Sequence, residues 1–440
     1  MELSELKGLL QKAGVVGAGG AGFPTYAKLS DKADTVILNC AECEPLLKLH
    51  RQVLEIYCTE ILTAFAEMVK AMGAERGIIA VKEHYKEAVE AVKSEIDAFP
   101  SLSIFELESI YPSGDELILI KDVTGKTVKP GQLPISEGIV VCNVETVYNV
   151  YKALNGSPVT DKFVTVAGEV KNPATYLVPI GTEVSEIIKA AGGVTTEDPA
   201  FIFGGMMMGK LGSQRDPVTR TTNAVIVLPS DHSAVLNKKR DPRIALRRAM
   251  SVCCQCHSCT DLCSRHVAGY PVEPHMVMRI FANGGKGDLS IIPGAMSCSG
   301  CGLCESYSCP QDLSPRAIID EIKAAARKSG YKPEPQALLP EDPLSKYRRI
   351  SVDRLTVRLG VKKYDKPAPI TEDFDTDKVK ILLSQHIGAP SAACVKVGDK
   401  VKKGDVIGEA KDGALGVNIH ASIDGKVTAV TEKYIVISKK

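Results

Sequence analysis

Eight cysteines carry the strongest chemical signal in the chain. Cys253, Cys256, Cys259 and Cys263 form C-x2-C-x2-C-x3-C, and Cys298, Cys301, Cys304 and Cys309 form C-x2-C-x2-C-x4-C followed by Pro310. The first three thiolates of each run sit on a tight loop that wraps one corner of a cube, while the fourth is too far along to share it easily. In two-cluster ferredoxins the fourth cysteine ligates the other cluster. That rule assigns Cys253, Cys256, Cys259 and Cys309 to one [4Fe–4S] cluster, and Cys298, Cys301, Cys304 and Cys263 to the second. Two zinc sites are the alternative, since four thiolates also suit zinc. Zinc ribbons use two separated C-x2-C pairs instead of two complete runs, which favours iron–sulfur. Ser264 stands where a ferredoxin usually has proline, and the second run has one extra residue before its last cysteine. Cys254 falls off the spacing and reads as a spare buried thiol. His257 and His266 are solvated loop residues or hydrogen-bond partners of a cluster.

The second chemical feature is Gly17-Ala-Gly-Gly-Ala-Gly22. It matches G-x-G-x-x-G, but a dinucleotide-binding fingerprint requires a preceding strand, and LSELKGLLQKAG is helical. What remains is a glycine loop entering a helix at Phe23-Pro24-Thr25, able to present backbone N–H groups to a phosphate.

These residues need a scaffold, and the sequence describes one in parts. Residues 1–160 alternate short apolar runs (Thr35–Asn39, Gly77–Val81, Gly138–Cys142) with helical periodicity, which predicts an α/β layer with a mostly parallel sheet. From 161 to 237 the texture turns to period-2, turn-rich segments with one short helix, a small β-rich unit. Residues 238–330 hold the cysteines between short helices, 331–375 have a linker's proline density, and 376–440 are short strands with glycine turns. Lys238–Arg248 is a basic stretch, read as a solvated helix face on which an acidic electron-transfer partner could dock. Met206–Met208 reads as packing.

Composition agrees with a multidomain globular protein. The 440 residues carry 54 Lys+Arg against 53 Asp+Glu, a net charge of +1 that supplies no global attraction to nucleic acid. No run approaches the roughly 18 apolar residues of a membrane span, and the N-terminus lacks the basic-then-apolar pattern of a secretory signal. Fourteen cysteines, nine of them between Cys253 and Cys309, argue for metal ligation in a reducing compartment, so a cytoplasmic protein is expected.

Several separated motifs resemble known families. GAGGAGFPTYAK is similar to the flavin-mononucleotide loop of the NADH-oxidising flavoprotein subunit of respiratory complex I, and NCAECEP, YPSGDE and CNVET resemble later segments of that pocket. GGMMMG and the two cysteine runs add a closer likeness to the C subunit of the Rnf electron-transport complex. Rnf C subunits begin with a barrel-sandwich domain, whereas the matching segment here, QHIGAPSAACVKVGDKVKKGDVIGEAKDG followed by NIHASIDGKVTAV, is C-terminal. That order resembles the PduS-type cobalamin reductases of bacterial microcompartments. The implied fold is multidomain α/β: an FMN- and NADH-binding α/β domain, a β-grasp (SLBB) domain, a ferredoxin-like dicluster helical domain and an all-β barrel-sandwich hybrid domain.

Residue by residue, the resemblance implies that Gly17, Gly19 and Gly20 approach the flavin phosphate and ring, with Lys28 contributing positive charge. Asn39, Glu42 and Glu44 would line the isoalloxazine side, and Gly114, Asp115 and Glu116 the nicotinamide side, with Glu42, Glu44 and Glu116 in the catalytic role. Asn143 and Thr146 would hydrogen-bond the flavin phosphate, and Phe23 would stack on the dinucleotide. Complex I has arginine at Ala18 and asparagine at Cys142. The implied activity carries electrons from NADH through FMN and two [4Fe–4S] clusters to a corrinoid, with cobalamin, a cobalamin-dependent enzyme and microcompartment proteins as partners. A relay or adaptor protein with a vestigial flavin pocket, or an Rnf-like peripheral subunit, are the alternatives. The barrel segment His420–Gly425 lacks the features of a biotin or lipoate attachment turn, and no D-x-H-x-x-G cobalamin motif occurs.

Overall fold

The computed structural model describes residues 1–284, 286, 289–334 and 336–439. Helix α1 (Leu3–Ala13) buries Leu6, Leu10 and Ala13 and stops at Gly14, whose φ of 77° ends the helix in the left-handed region. The glycine loop follows and enters the one-turn helix α2 (Thr25–Lys28). Strands β1 (Thr35–Cys40), β2 (Arg76–Lys82), β3 (Leu102–Leu107) and β5 (Ile139–Asn143) form a parallel sheet in the order β3-β2-β1-β5, after the short β4 (Ile110–Tyr111). Parallel strands need helical crossovers. Helices α3 (Leu49–Ile56), α4 (Cys58–Met72) and α5 (Lys86–Glu95) supply them on one side, with α6 (Glu116–Thr124) leading back towards β5 and α7 (Val144–Leu154) following it.

That strand order fixes where a ligand belongs. The chain moves outward from β1 to β3 and then returns to the far side of β1 as β5, so the order reverses between β1 and β5. A crevice opens beyond the carboxyl ends of two such strands. Asn39 and Asn143 are register partners there, and the sequence had singled out both.

The β-grasp unit packs α8 (Val184–Ala190) on a mixed sheet of β6 (Asp161–Gly168), β7 (Ala174–Pro179), β8 (Pro199–Phe203), β9 (Lys210–Gly212) and β10 (Ala224–Pro229). Val184, Ile187 and Ile188 of α8 meet Val164, Val178 and Val225 in its core. The cysteine region consists of helices: α9 (Ser233–Lys239), α10 (Pro242–Val252), α11 (Ser258–Asp261), α12 (Ser264–Val267), α13 (Pro274–Ala282), α14 (Ile292–Ala295) and α15 (Pro315–Lys328). Ala249, Val277, Met278, Leu313 and Ile319 form its core, against which Cys253, Cys298 and Cys309 pack.

The stretch 331–375 is a strap where a linker was expected. Its β11 (Ile350–Ser351) pairs antiparallel with β4, helix α16 (Val352–Arg358) follows, and β12 (Ile370–Thr371) adds to the edge of the β-grasp sheet beside β7. Leu355, Val361 and Tyr364 are buried with Tyr111 and Leu303, so apolar residues between the prolines tie three units together.

The C-terminal barrel has strands β13 (Lys378–Leu382), β14 (Ala392–Ala393), β15 (Lys400–Val401), β16 (Val406–Glu409), β17 (Ile419–His420), β18 (Gly425–Val430) and β19 (Tyr434–Ser438) in two small sheets. It packs on the N-terminus. Asn418 N donates to the Gln11 carbonyl at 3.1 Å, and Ile387 N to the Gly22 carbonyl at 3.2 Å. Arg220 Nη2 donates to the Asn418 carbonyl at 2.8 Å. Among the described residues no helix is long and apolar enough to cross a membrane.

Candidate flavin and cluster sites

The glycine loop lies against the start of α7. Ala18 N donates to Thr146 Oγ1 at 2.9 Å. A Cβ at Gly19 would sit 2.5 Å from Asn143 Nδ2, while a Cβ at Gly20 would meet nothing within 4 Å. Gly19 is thus required by close approach, and Gly20 faces open space. Asn143 caps α7, its Oδ1 accepting from Glu145 N at 3.0 Å and Thr146 N at 3.4 Å. Its Nδ2 contacts His50 Nε2 at 3.3 Å. Asn143 can only donate through Nδ2, so this histidine nitrogen accepts, and the proton sits on Nδ1. Burial, the largest influence on His50, pushes its pKa down and keeps the ring neutral, as that bond requires.

Two further contacts close the ring of segments. Lys28 Nζ pairs with Glu116 Oε1 at 2.6 Å, both about one-third exposed. Asn39 Nδ2 donates to the Gly114 carbonyl at 3.1 Å, and its Oδ1 accepts from Ala41 N at 3.0 Å. Asp115 caps α6 through Leu117 N and Ile118 N. Phe23 is 40% exposed at the loop's edge. Gly17, Gly19, Gly20, Lys28, Asn39, Gly114, Asp115, Glu116, Asn143 and Thr146 therefore converge at the β1/β5 crevice.

The two carboxylates of NCAECEP are placed otherwise than the sequence suggested. Glu42 Oε1 accepts from Leu49 N at 2.8 Å and His50 N at 2.9 Å, tying down the start of α3, and Oε2 is buried 3.7 Å from Arg51 Nε. Neither oxygen opens on a cleft. Glu44 reaches across to the GGMMMG loop, accepting from Met207 N at 2.7 Å and Met208 N at 2.9 Å. Burial raises the Glu44 pKa, opposed by those N–H groups and by Lys238 and Arg316. Both carboxylates are committed to holding loops, because each found backbone donors that burial would otherwise leave unpaired.

The cysteines gather as two quartets. Cys253, Cys256 and Cys309 all act electrostatically on Cys259, and the four line one cavity. Cys263 feels Cys301 and Cys298, and Cys304 feels Cys298, Cys301 and Cys263. The fourth cysteine of each run thus faces the other run's first three. Among the described residues, no three His, Cys, Asp or Glu side chains converge closely enough to hold one metal ion. Burial pushes the Cys301 thiol up to about 11 and Cys259 up to about 12, so loading a cluster on them releases protons. Cys254 is exposed, correcting the reading of a buried thiol: it stands at the rim of the cavity that the first quartet lines. His257 packs against His275 with ring centroids 3.7 Å apart and the planes tilted by 44°, a partner the motif reading did not find.

The second quartet is bracketed to the flavin segments. Arg265 Nε and Nη2 each lie 2.9 Å from an Asp115 oxygen, and Arg265 Nη1 donates to the Ser297 carbonyl, beside Cys298. Tyr111 OH donates to the Cys301 carbonyl at 2.7 Å. Arg316 Nη1 donates to the Met207 carbonyl at 2.9 Å, and its Nη2 pairs with Glu305 at 2.6 Å. Lys238 Nζ donates to the Met207 and Gly209 carbonyls. Met206 and Met207 are buried as expected, but the main chain of that loop is a junction between Glu44 and the second cysteine loop. Spacing alone does not carry this signal.

Comparisons agree with this architecture. Residues 10–152 match the Nuo51 FMN-binding domain, 163–211 the SLBB domain, 252–314 the 4Fe-4S dicluster domain and 357–440 the RnfC barrel sandwich hybrid domain. The chain is 42% identical to the cobalamin reductase PduS of Citrobacter freundii over 97% of its length and 95% of that relative. It is 40% identical to the corresponding protein of Salmonella typhimurium (99% and 97%). The C subunit of the Na(+)-translocating ferredoxin:NAD(+) oxidoreductase complex of Acetobacterium woodii is 31% identical, over 61% of this chain and 59% of that one. An NAD+-reducing [NiFe]-hydrogenase structure shares the fold, with a TM-score of 0.51 and 21% identity over 79% of this chain and 66% of that chain. The cofactors of this oxidoreductase are FMN and iron–sulfur clusters.

Proposed function

The chain belongs to the family of the cobalamin reductase PduS, and from that premise we propose that it takes electrons from NADH and delivers them to a corrinoid. The observation that carries this reading is the bracing of a flavin-type crevice onto the second cysteine quartet by Asp115–Arg265 and Tyr111–Cys301. FMN supplies the exchange between an electron pair and single electrons, which the clusters carry onward.

The chain's own residues do the rest. Gly17, Gly19 and Gly20 let the backbone approach the flavin, the α7 N-terminus faces its phosphate, and Lys28 offsets its charge. Glu116, paired with Lys28, borders the nicotinamide side with Gly114, and Phe23 lies at the edge where a dinucleotide would stack. Glu42 and Glu44 act as positioning residues. Cys263, Cys298, Cys301 and Cys304 hold the cluster nearest the flavin, and Cys253, Cys256, Cys259 and Cys309 the outer one. The contacts of Ala18 with Thr146 and of Asn39 with Gly114 support an active flavin site over a vestigial one. The cytoplasm, within a bacterial microcompartment, is the proposed setting, and the N-terminal, β-grasp, cysteine-rich and barrel units span 1–160, 161–237, 238–330 and 376–440.

An anaerobic titration of reconstituted protein with NADH, followed by visible absorbance and low-temperature EPR, tests this. Flavin bleaching followed by two reduced-cluster signals is expected. Protein holding flavin and about eight irons, as two four-iron clusters require, that dithionite reduces but NADH does not would overturn it.

A further inference from the structure

The two quartets differ in what surrounds them. Cys263, Cys301 and Cys304 are buried under the flavin segments, whereas Cys256 and its neighbour Cys254 are exposed. Helix α10 runs directly into that exposed loop. Ala245 and Ala249 face the core, so the residues on the opposite face, Arg243, Ile244, Arg247 and Met250, look outward at helical spacing. Ile244 and Met250 are 53% and 51% exposed on that face, and Val252, 46% exposed at the end of the helix, adjoins the cysteine loop. Segment 238–248 holds six basic residues and one acidic. Within it Lys238 is bound under the GGMMMG loop and Arg240 is paired with Asp312. Arg243, its side chain 89% exposed, forms a surface pair with Asp241 through Nη2 at 2.9 Å and Nε at 3.2 Å, and Arg248 lies 3.9 Å from Asp312.

We infer that this face of α10, with the loop around Cys254 and Cys256, is the docking surface for an acidic electron-carrying protein. Exposed apolar side chains interspersed with arginines beside an exposed redox centre have the make-up of a transient electron-transfer interface: a small contact area, complementary charge and fast exchange. The segment stays net positive after its pairs with Asp241 and Asp312, which commits the partner's matching face to carboxylates. On contact one electron passes from the reduced protein to the oxidised partner, with no bond formed or broken. The inference rests on the reading that electrons leave through the outer quartet, and on no particular electron donor.

The test uses the full-length protein with flavin and clusters, reduced by dithionite and freed of excess reductant, so that a failure of NADH oxidation leaves it intact. The probe is the acidic soluble domain of cytochrome b5, mixed in stopped flow, with basic cytochrome c as the opposite-charge control. Cytochrome b5 reduction is expected to slow as salt rises. The Arg243→Glu/Arg247→Glu variant should slow it by about tenfold or more at low salt, flatten its salt dependence and leave cytochrome c no slower. Ile244→Ser/Met250→Ser should raise the half-saturating cytochrome b5 concentration, with iron and flavin contents unchanged in both variants. Cytochrome b5 rates within twofold of wild type in the charge-reversal variant, or equal losses with both cytochromes, would overturn the inference. Rapid reduction of free cob(II)alamin with no reduction of cytochrome b5 at any salt concentration would also overturn it, because electrons would then leave without an acidic partner.

Discussion

Replacing Arg265 with glutamine removes one of the links between the flavin crevice and the second cysteine quartet while leaving every cysteine in place. Its guanidinium is 12% exposed and the Asp115 carboxylate 5%, so the pair is screened little by salt. Arg265→Gln deletes two charge-assisted contacts of 2.9 Å. Breaking such a buried pair costs about 3–5 kcal/mol. Asp115 keeps the N–H groups of Leu117 and Ile118, so its charge is not stranded, and the lower end, about 3 kcal/mol, applies. Asp115→Asn leaves Arg265 its Ser297 carbonyl and the Tyr270 ring, 5.2 Å away. The two changes therefore act on one interaction, and a double-mutant cycle should return a coupling of about 2 kcal/mol. The assay is guanidinium unfolding of the anaerobic protein, with flavin fluorescence and cluster absorbance read in the same samples. Both signals should move to lower denaturant in each single variant, because the pair belongs to both sites. Single costs that add within about 0.5 kcal/mol, or a cluster signal that moves while the flavin signal stays, would refute the bracing argument.

Other outcomes follow from the same structure. Gly20→Ala, whose Cβ meets nothing within 4 Å of protein, should leave the melting temperature alone and weaken flavin retention on desalting. Gly19→Ala should lower both, since displacing Asn143 removes an α7 cap worth about 1 kcal/mol. Lys162→Met leaves Glu145, its partner at 2.5 Å and 1% exposed, as a buried unpaired charge, which should cost about 3–5 kcal/mol in denaturant melts; adding Glu145→Gln should recover most of it. Burial first, then the charge of Arg220, holds His420 at about 4 against 6.5. The ring is neutral when folded, so stability is full above pH 6.5 and lost towards pH 4 at about 1.4 kcal/mol per pH unit, and His420→Gln should flatten that acid limb. Cys263→Ala should alter the EPR signal that Cys298→Ala alters, and spare the one lost in Cys256→Ala.

Much of the site was legible because its signals are local. A glycine loop after a helix, a capping asparagine at a strand end and the spacing of the two cysteine runs are features of a few residues each. The sharing of fourth cysteines follows from reach along the chain, and the quartets gather that way. Glu44 was not legible, since its partners Met207 and Met208 are 163 and 164 residues away and nothing in a carboxylate's surroundings announces a distant N–H. The same holds for Asp115 and Arg265, separated by 150 residues. The strap was missed because proline density reads alike whether a segment is free or laid down along other units. Its docking depends on two-residue strands, too short to show alternation.

The barrel's position against α1 bears on how the glycine loop keeps its shape. Gly22, the last residue of the glycine loop, adopts a φ of 73°, and a Cβ there would press on His386 Cα and the Gln385 carbonyl of the barrel region. Ile387 N donates to the Gly22 carbonyl from the same segment. One end of the loop is therefore held by a unit remote from it in sequence, and local opening of the barrel would release that end while the parallel sheet stays intact. The contact depends on proximity in space and not on order along the chain.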